Sequence, residues 1–175
     1  VYHPSDFGAV GDGLTLCTSS IQAAIDKCAE NGGGTVQFKT GIYLTGSIFL
    51  KSNVILDIPK GVQLLGSQDI SDYKDIPTRV AGIEMVWPAG LINIIDQQNV
   101  AITGDGVVNG KGKVFWDKYY QMREEYDPKG LRWVVDYDCK RPRGIIIANS
   151  KDVILKDFVL YQAGFWSVHI LYSEY

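Results

Sequence analysis

The chain has 175 residues, which suits one domain or a part of a larger one. Its composition, 46% hydrophobic and 21% charged, is typical of a globular protein. The net charge of −3 argues against a general nucleic-acid-binding surface, and no run of about 18 apolar residues predicts a membrane span. We therefore expect neither nucleic acid nor a membrane as a partner.

The three cysteines show no CxxC spacing and no neighbouring histidine cluster; they are Cys17, Cys28 and Cys139. This pattern argues against a zinc site, and we predict neither a metal nor a cofactor. Cys28 is expected to be a buried free thiol, while the odd number leaves pairing undecided.

One amphipathic helix is predicted near the start of the chain. Four apolar residues recur at i, i+3, i+4 and i+7: Ile21, Ala24, Ile25 and Cys28. Thr18 or Ser19 is expected to cap its first turn, and the glycines after Asn31 are expected to end it. A helix ahead of many strands suits a lid over the first coil of a repeat protein.

Short β-branched runs bounded by turn residues predict strands over 35–38, 42–45, 48–50, 54–58 and 63–65. A repeat unit consists of an apolar strand, a polar corner, and Asn or Asp before Val-x-Leu/Ile. It begins at Ile48, Leu91 and Ile145, and a fourth copy begins at Val168, shifted by 23 positions. Such a period indicates a stacked architecture.

The spacing between repeats indicates the fold class. The distances from Asn53 to Asn99 (46 residues) and from Asn99 to Asp152 (53 residues) are interpreted as about two coils each. Turns this short exclude βαβ crossovers between parallel strands. We therefore predict an all-β, single-stranded parallel β-helix with an N-terminal capping α-helix.

The whole chain is assigned to one domain. Residues 1–34 form the cap and helix, 35–66 and 91–109 the early coils, 67–90 and 110–143 protruding loops, and 144–175 the later coils. The loop 110–143 holds nine Lys and Arg against six Asp and Glu, so it carries +3 and the remainder −6. Together with its Trp and Tyr residues, this charge suits an anionic, ring-containing ligand. The alternative is a solvated loop that only balances charge.

Six segments carry a family resemblance: Phe7-Gly-Ala-Val-Gly-Asp-Gly, the helix with Gly32-Gly-Gly-Thr-Val, Gly41-Ile-Tyr-Leu-Thr-Gly-Ser-Ile-Phe-Leu-Lys-Ser-Asn-Val, Gly104-Asp-Gly-Val-Val-Asn-Gly-Lys-Gly, Arg141-Pro and Phe165-Trp-Ser-Val-His. In this order and spacing they resemble the polygalacturonase-like glycoside hydrolases of family 28, in the pectin-lyase-like superfamily. The resemblance implies a right-handed β-helix, a secreted or periplasmic location, and inverting hydrolysis of α-linked galacturonic acid chains. An acidic polysaccharide, pectin or galacturonan, is the implied substrate.

The family's catalytic motifs are Asn-Thr-Asp, an Asp-Asp pair, Gly-His-Gly and Arg-x-Lys, and none occurs here. The resemblance therefore implies the N-terminal part of such an enzyme, with the catalytic carboxylates beyond Tyr175. No catalytic residue is predicted within the chain. Asp136 and Asp138 would lie on one side of an extended segment, but no histidine accompanies them.

Four residues are predicted to contact substrate: His169, Trp166, Arg141 and Arg143. An alternating strand places His169 on the face opposite Val168, beside Trp166. The two arginines suit uronate carboxylates, because a planar guanidinium pairs with a carboxylate through two hydrogen bonds. The alternative for His169 is a structural histidine satisfied by its neighbours.

Two other functions remain open: a non-catalytic carbohydrate-binding or structural β-helix module, and a β-eliminating lyase on the same scaffold. We expect the chain by itself to be inactive. We also expect it to self-associate through the open end of its last coil, where strand edges invite pairing.

Overall fold

A computed structural model describes residues 1–175. The strands are, in chain order, β1 (Asp12–Leu16), β2 (Gly34–Gln37), β3 (Gly41–Thr45), β4 (Ile48–Phe49), β5 (Val54–Asp57), β6 (Val62–Gly66), β7 (Asp75–Val80), β8 (Ile83–Pro88), β9 (Ile92–Ile95), β10 (Gln98–Thr103), β11 (Val107–Asn109), β12 (Ile145–Ala148), β13 (Lys151–Leu155), β14 (Val159–Tyr161) and β15 (Val168–Leu171). The α-helices are α1 (Thr18–Glu30), α2 (Lys113–Tyr126) and α3 (Val134–Asp138). Short 3-10 helices cover Pro4–Phe7, Ile70–Asp72 and Asp127–Lys129. None of the helices is long and apolar enough to cross a membrane.

Three parallel sheets run side by side along the molecule. The first has the order β1-β3-β6-β11-β14, the second β13-β10-β5-β2, and the third β15-β12-β9-β4. The inward-facing side chains of all three sheets, together with buried side chains of the helices and connecting segments, form one core of 26 residues. The predicted all-β fold, a right-handed parallel β-helix with an N-terminal helix, is confirmed.

The predicted repeat is confirmed by the register of the third sheet. Ile92 pairs with Ile48 on one side and with Ile145 on the other, and Ile145 pairs with Val168. In the second sheet, β10 pairs directly with β5 and with β13. The interpretation of the 46- and 53-residue distances as two coils each is therefore wrong, since each is one coil plus an insertion.

The polar corner of the repeat has a conformational cause. Asn53, Asn99 and Asp152 have φ of +65°, +56° and +53°, respectively. Asn and Asp enter this left-handed region more readily than other residues with a side chain. Asn99 Nδ2 also donates to Asn53 Oδ1 at 3.0 Å. The Asn or Asp of each unit thus turns the chain into the second sheet.

Helix α1 buries its predicted apolar stripe: Ile21, Ala24, Ile25 and Cys28. The predicted cap is wrong, because no side chain caps its first turn and neither Thr18 nor Ser19 precedes the helix. Thr18 Oγ1 instead accepts a hydrogen bond from the Gly46 N–H at 2.8 Å. After the helix, Gly33 has φ of +102°, and a Cβ there would lie 2.3 Å from Asn53 O. Glycine is therefore required where the chain leaves α1 for β2.

Both insertions contain regular structure rather than irregular loops. Residues 67–90 include the antiparallel hairpin of β7 and β8. This hairpin covers the outer face of the third sheet, where Ile76 and Ala89 pack against Ile146 and Ala148. Residues 110–143 include α2 and α3. The prediction of an extended segment around Asp136 is therefore wrong, because Asp136 lies on α3.

Strands β13, β14 and β15 are the edge strands of the three sheets at one end of the β-helix, where one isolated bridge joins Lys151 to Glu174. Ile170, which continues the inward-facing row of the third sheet, is 61% exposed. Open strand edges and apolar ends favour association. We therefore expect light scattering to give a mass above the 19.4 kDa monomer that rises with concentration.

A lysine at this end of the β-helix is expected to reduce this association, since charges blunt open edges. Ile170→Lys therefore lowers the measured mass. The matched control is Leu14→Lys, because Leu14 is 83% exposed on β1, at the opposite end of the first sheet. A wild-type chain that stays monomeric across the concentration series would contradict the expectation.

Candidate functional site

Three of the four predicted substrate-contacting residues meet on the outer face of the third sheet, at β15. His169 lies there in register with Ile146 of β12. Its ring lies 4.6 Å from the Trp166 ring, centre to centre, in an edge-on arrangement. Arg143 Nη1 lies 2.9 Å from His169 Nδ1. Histidine, tryptophan and arginine thus form one cluster.

Backbone hydrogen bonds hold the segment that carries Trp166. Trp166 O accepts from the Gly144 N–H at 2.8 Å, and Ser167 O accepts from the Ile145 N–H at 2.8 Å. A Cβ on residue 144 would lie 2.4 Å from Ser167 O, so glycine is needed for this approach. The Trp166 backbone is therefore fixed by the same ladder that holds β15.

Arg143 is 0% exposed and contacts no carboxylate. Its guanidinium donates to Thr78 Oγ1 at 3.1 Å, to Arg79 O and Pro88 O at 3.4 Å each, and to His169. Its Nε has no partner. Burial lowers the pKa of Arg143 to about 10. With no exposed atom, Arg143 can influence a ligand only through its neighbours.

Arg141 is also covered. Its guanidinium carbon lies 4.0 Å from the centre of the Tyr119 ring and 4.2 Å from that of Phe165. Nη2 lies 3.3 Å from Asp136 Oδ1. Burial lowers the pKa of Arg141 despite the neighbouring carboxylate. Arg141 therefore joins α2 and α3 to the segment before β15, through cation–π contacts and an ion pair.

Two aromatic side chains, one behind the other, support the Trp166 ring. Phe165 stacks on Trp166 with ring centres 4.2 Å apart and an interplanar angle of 21°. Trp87 of β8 is fully buried, lies 6.5 Å from Phe165, and donates from Nε1 to Arg141 O at 3.2 Å. The first insertion thus supports Phe165, which in turn packs against the half-buried Trp166.

Sequence reasoning missed Trp87, and it also missed the pairing of Arg143 with Thr78 and with the carbonyl of Pro88. The available signal was weak: an aromatic residue inside a segment that exceeds the repeat. Nothing in the linear pattern shows that the hairpin returns onto β15.

The two acidic residues of α3 are already paired. Asp136 accepts from Arg132 Nη1 at 2.8 Å and contacts Arg141, while Asp138 accepts from the Tyr126 hydroxyl at 2.8 Å. No three His, Cys, Asp or Glu side chains lie close enough together to hold a metal ion.

Burial, and secondarily the charge of Arg143, lowers the pKa of His169. The ring is therefore neutral near pH 7. The arrangement offers a neutral imidazole beside an aromatic surface, which suits ligand binding.

The comparisons with known proteins agree with the fold. No protein-family model matches the chain. The chain is 35% identical over 159 residues to the exo-poly-alpha-D-galacturonosidase of Dickeya chrysanthemi, covering 86% of this chain and 26% of that protein. It therefore spans about a quarter of the length of this relative.

Two solved structures extend the comparison. One is assigned as a glycosyl hydrolase from Parabacteroides merdae, with a TM-score of 0.76, 30% identity, and coverage of 98% of this chain and 71% of that one. The other is the family 28 exopolygalacturonase of Yersinia enterocolitica, with a TM-score of 0.81, 26% identity, and coverage of 98% and 36%. The chain belongs to the polygalacturonase-like glycoside hydrolases of family 28.

Proposed function

We propose that this chain is part of a secreted or periplasmic enzyme that hydrolyses α-linked galacturonic acid chains with inversion at the anomeric carbon. His169 and Trp166 form one side of its substrate site, and Arg141 and Arg143 hold them in place. The observation that carries this proposal is the cluster of His169, Trp166 and Arg143 at the outer face of the third sheet. Arg141 packs against Phe165, the ring that stacks on Trp166.

The chemistry of the cluster suits a uronate. An indole presents a flat apolar face to a sugar ring, and a neutral imidazole donates one hydrogen bond to a hydroxyl or carboxylate oxygen. The second insertion carries nine basic against six acidic residues, on a chain with a net charge of −3. This local positive field attracts a polyanion to the face where the cluster lies.

The catalytic carboxylates are proposed to lie outside these 175 residues. Inverting hydrolysis uses two carboxyl groups about 6.5–9.5 Å apart, one as acid and one to activate water. Asp136 and Asp138 are engaged by Arg132, Arg141 and Tyr126. The chain also spans only 26% of its Dickeya relative.

A reducing-end assay on polygalacturonate tests the proposal, with absorbance of unsaturated product read in parallel. The 175-residue chain is expected to release no reducing ends. A longer protein that contains it is expected to release reducing ends without unsaturated product.

Each other outcome has a definite meaning. Turnover by the chain alone would contradict the placement of the carboxylates. Unsaturated product would identify a β-eliminating lyase, and binding without turnover by the longer protein would identify a carbohydrate-binding module.

A further inference from the structure

Arg143 is a buried cation without a counter-ion. Removing a charged group from water is costly, and buried charges are normally paired with an opposite charge. Here the partners are a hydroxyl, two carbonyl oxygens and one ring nitrogen, while Nε has none. Stability alone therefore does not explain an arginine at this position.

The contact with His169 gives the arginine a role. A guanidinium has hydrogen-bond donors and no acceptor. Since Arg143 Nη1 lies 2.9 Å from His169 Nδ1, Nδ1 must act as the acceptor and carry no proton. The proton of the neutral ring then resides on Nε2, at the far side of the ring from Arg143.

We propose that Arg143 is a positioning residue that fixes His169 as the neutral Nε2–H tautomer, so that Nε2–H donates to a uronate oxygen beside Trp166. The second half of this statement rests on the proposed function, whereas the first half does not. The edge-on Trp166 ring, 4.6 Å away at an interplanar angle of 72°, restricts the imidazole plane. Nδ1 carries the ring's one hydrogen bond within the chain, so Nε2 remains available.

The other charged groups around the cluster leave this arrangement intact. From the hairpin, Arg79 and Glu84 face each other and share Tyr172 on β15's C-terminal side. Asp136 is held by Arg141, which packs against the Phe165 ring. Arg143 is therefore the charged group in direct contact with His169, and an imidazolium there would face a second cation.

Nitrogen chemical shifts of labelled histidine test the tautomer directly. The chain has two histidines, and His3→Gln assigns the remaining signal to His169. Solid-state NMR tolerates self-associated samples. At neutral pH the Nε2–H form is expected in roughly tenfold or greater excess over the Nδ1–H form. The reason is that a charged donor at Nδ1 favours the form in which Nδ1 carries no proton. An Nδ1–H form, an even mixture or an imidazolium would overturn the proposal.

Variants separate positioning from general structural loss. Arg143→Met removes the donor, and a mixture of both neutral tautomers is expected. Thr78→Val is the matched control, because it removes a different partner of Arg143 Nη1 and leaves the His169 contact. An unchanged tautomer in Arg143→Met would contradict the proposal. If that variant fails to fold, the wild-type spectrum decides.

Addition of trigalacturonate to the wild-type chain tests the binding half. A change in the Nε2 shift, absent in a Trp166→Ala variant, is expected. The Nε2–H tautomer with no change on addition would reject the binding role while leaving the positioning role intact. The outcome of the reducing-end assay affects neither measurement.

Discussion

Replacement of Trp87 by alanine is expected to lower the free energy of unfolding by about 3–5 kcal/mol. The Trp87 side chain on β8 is fully buried. Its removal leaves a cavity beside Phe165 and leaves the Arg141 carbonyl without the indole N–H that it accepts at 3.2 Å. Both losses affect residues that pack against the candidate site, namely Phe165 and Arg141.

Urea unfolding followed by far-UV circular dichroism, at one low protein concentration, measures this loss. Trp133→Ala is the matched control, because the Trp133 side chain is 75% exposed on the second insertion. Exposed substitutions typically change stability by less than about 0.5 kcal/mol. Equal losses in the two variants would show that Trp87 does not hold the hairpin in place.

Replacement of Asn93 by leucine is expected to cost about 3 kcal/mol, because a buried polar group left without its partner loses its full desolvation energy. The Asn93 side chain is fully buried on β9. Its Oδ1 accepts from the Gly90 N–H at 2.8 Å, and its Nδ2 donates to Gly90 O at 2.8 Å and Ile48 O at 3.0 Å. Leucine has a similar volume and makes none of these bonds.

The same urea experiment tests this change, with Asn31→Leu as its control. The Asn31 side chain is exposed and makes one hydrogen bond, to the Tyr2 hydroxyl. A smaller loss, of about 1 kcal/mol or less, is expected for the control. Asn93→Leu with wild-type stability would mean that the Gly90 turn does not depend on this side chain.

The coils could be predicted from the sequence because each is specified locally. The inward-facing apolar positions alternate along the strands, and Asn53, Asn99 and Asp152 mark the left-handed corners. These features depend on residues a few positions apart. They give the sheets and the register at Ile145 and Val168 without knowledge of any distant contact.

The insertions could not be predicted in the same way. Sequence distance alone does not distinguish two coils from one coil with an inserted hairpin or helix pair. Phe115 and Tyr119, buried at i and i+4 on α2, are a helical signal that the aromatic and charged composition obscured. The contact of Trp87 with Phe165 depends on where the hairpin folds back onto the β-helix, and no local sequence pattern specifies that position.

Three of the four predicted site residues lie together, but their arrangement could not be predicted from the sequence. His169 and Trp166 were expected together because they share one short segment. Arg143 is buried against Thr78 and Pro88 of the hairpin, and Arg141 is covered by the rings of Tyr119 and Phe165. Since these partners lie far from the two arginines in sequence, the burial of the arginines becomes visible only in three dimensions.

The pairing of each coil with the next has a consequence for how this architecture varies. Thr35 pairs with Ile55 across 20 residues, whereas Ala101 pairs with Ile55 across 46 and with Ile154 across 53. Loop-closure entropy grows only as the logarithm of loop length, about 0.6 kcal/mol per doubling, so the longest closure costs about 1 kcal/mol more than the shortest. Related sequences can therefore exchange or lengthen an insertion at little cost, and so alter the walls of the site while the coils keep their register.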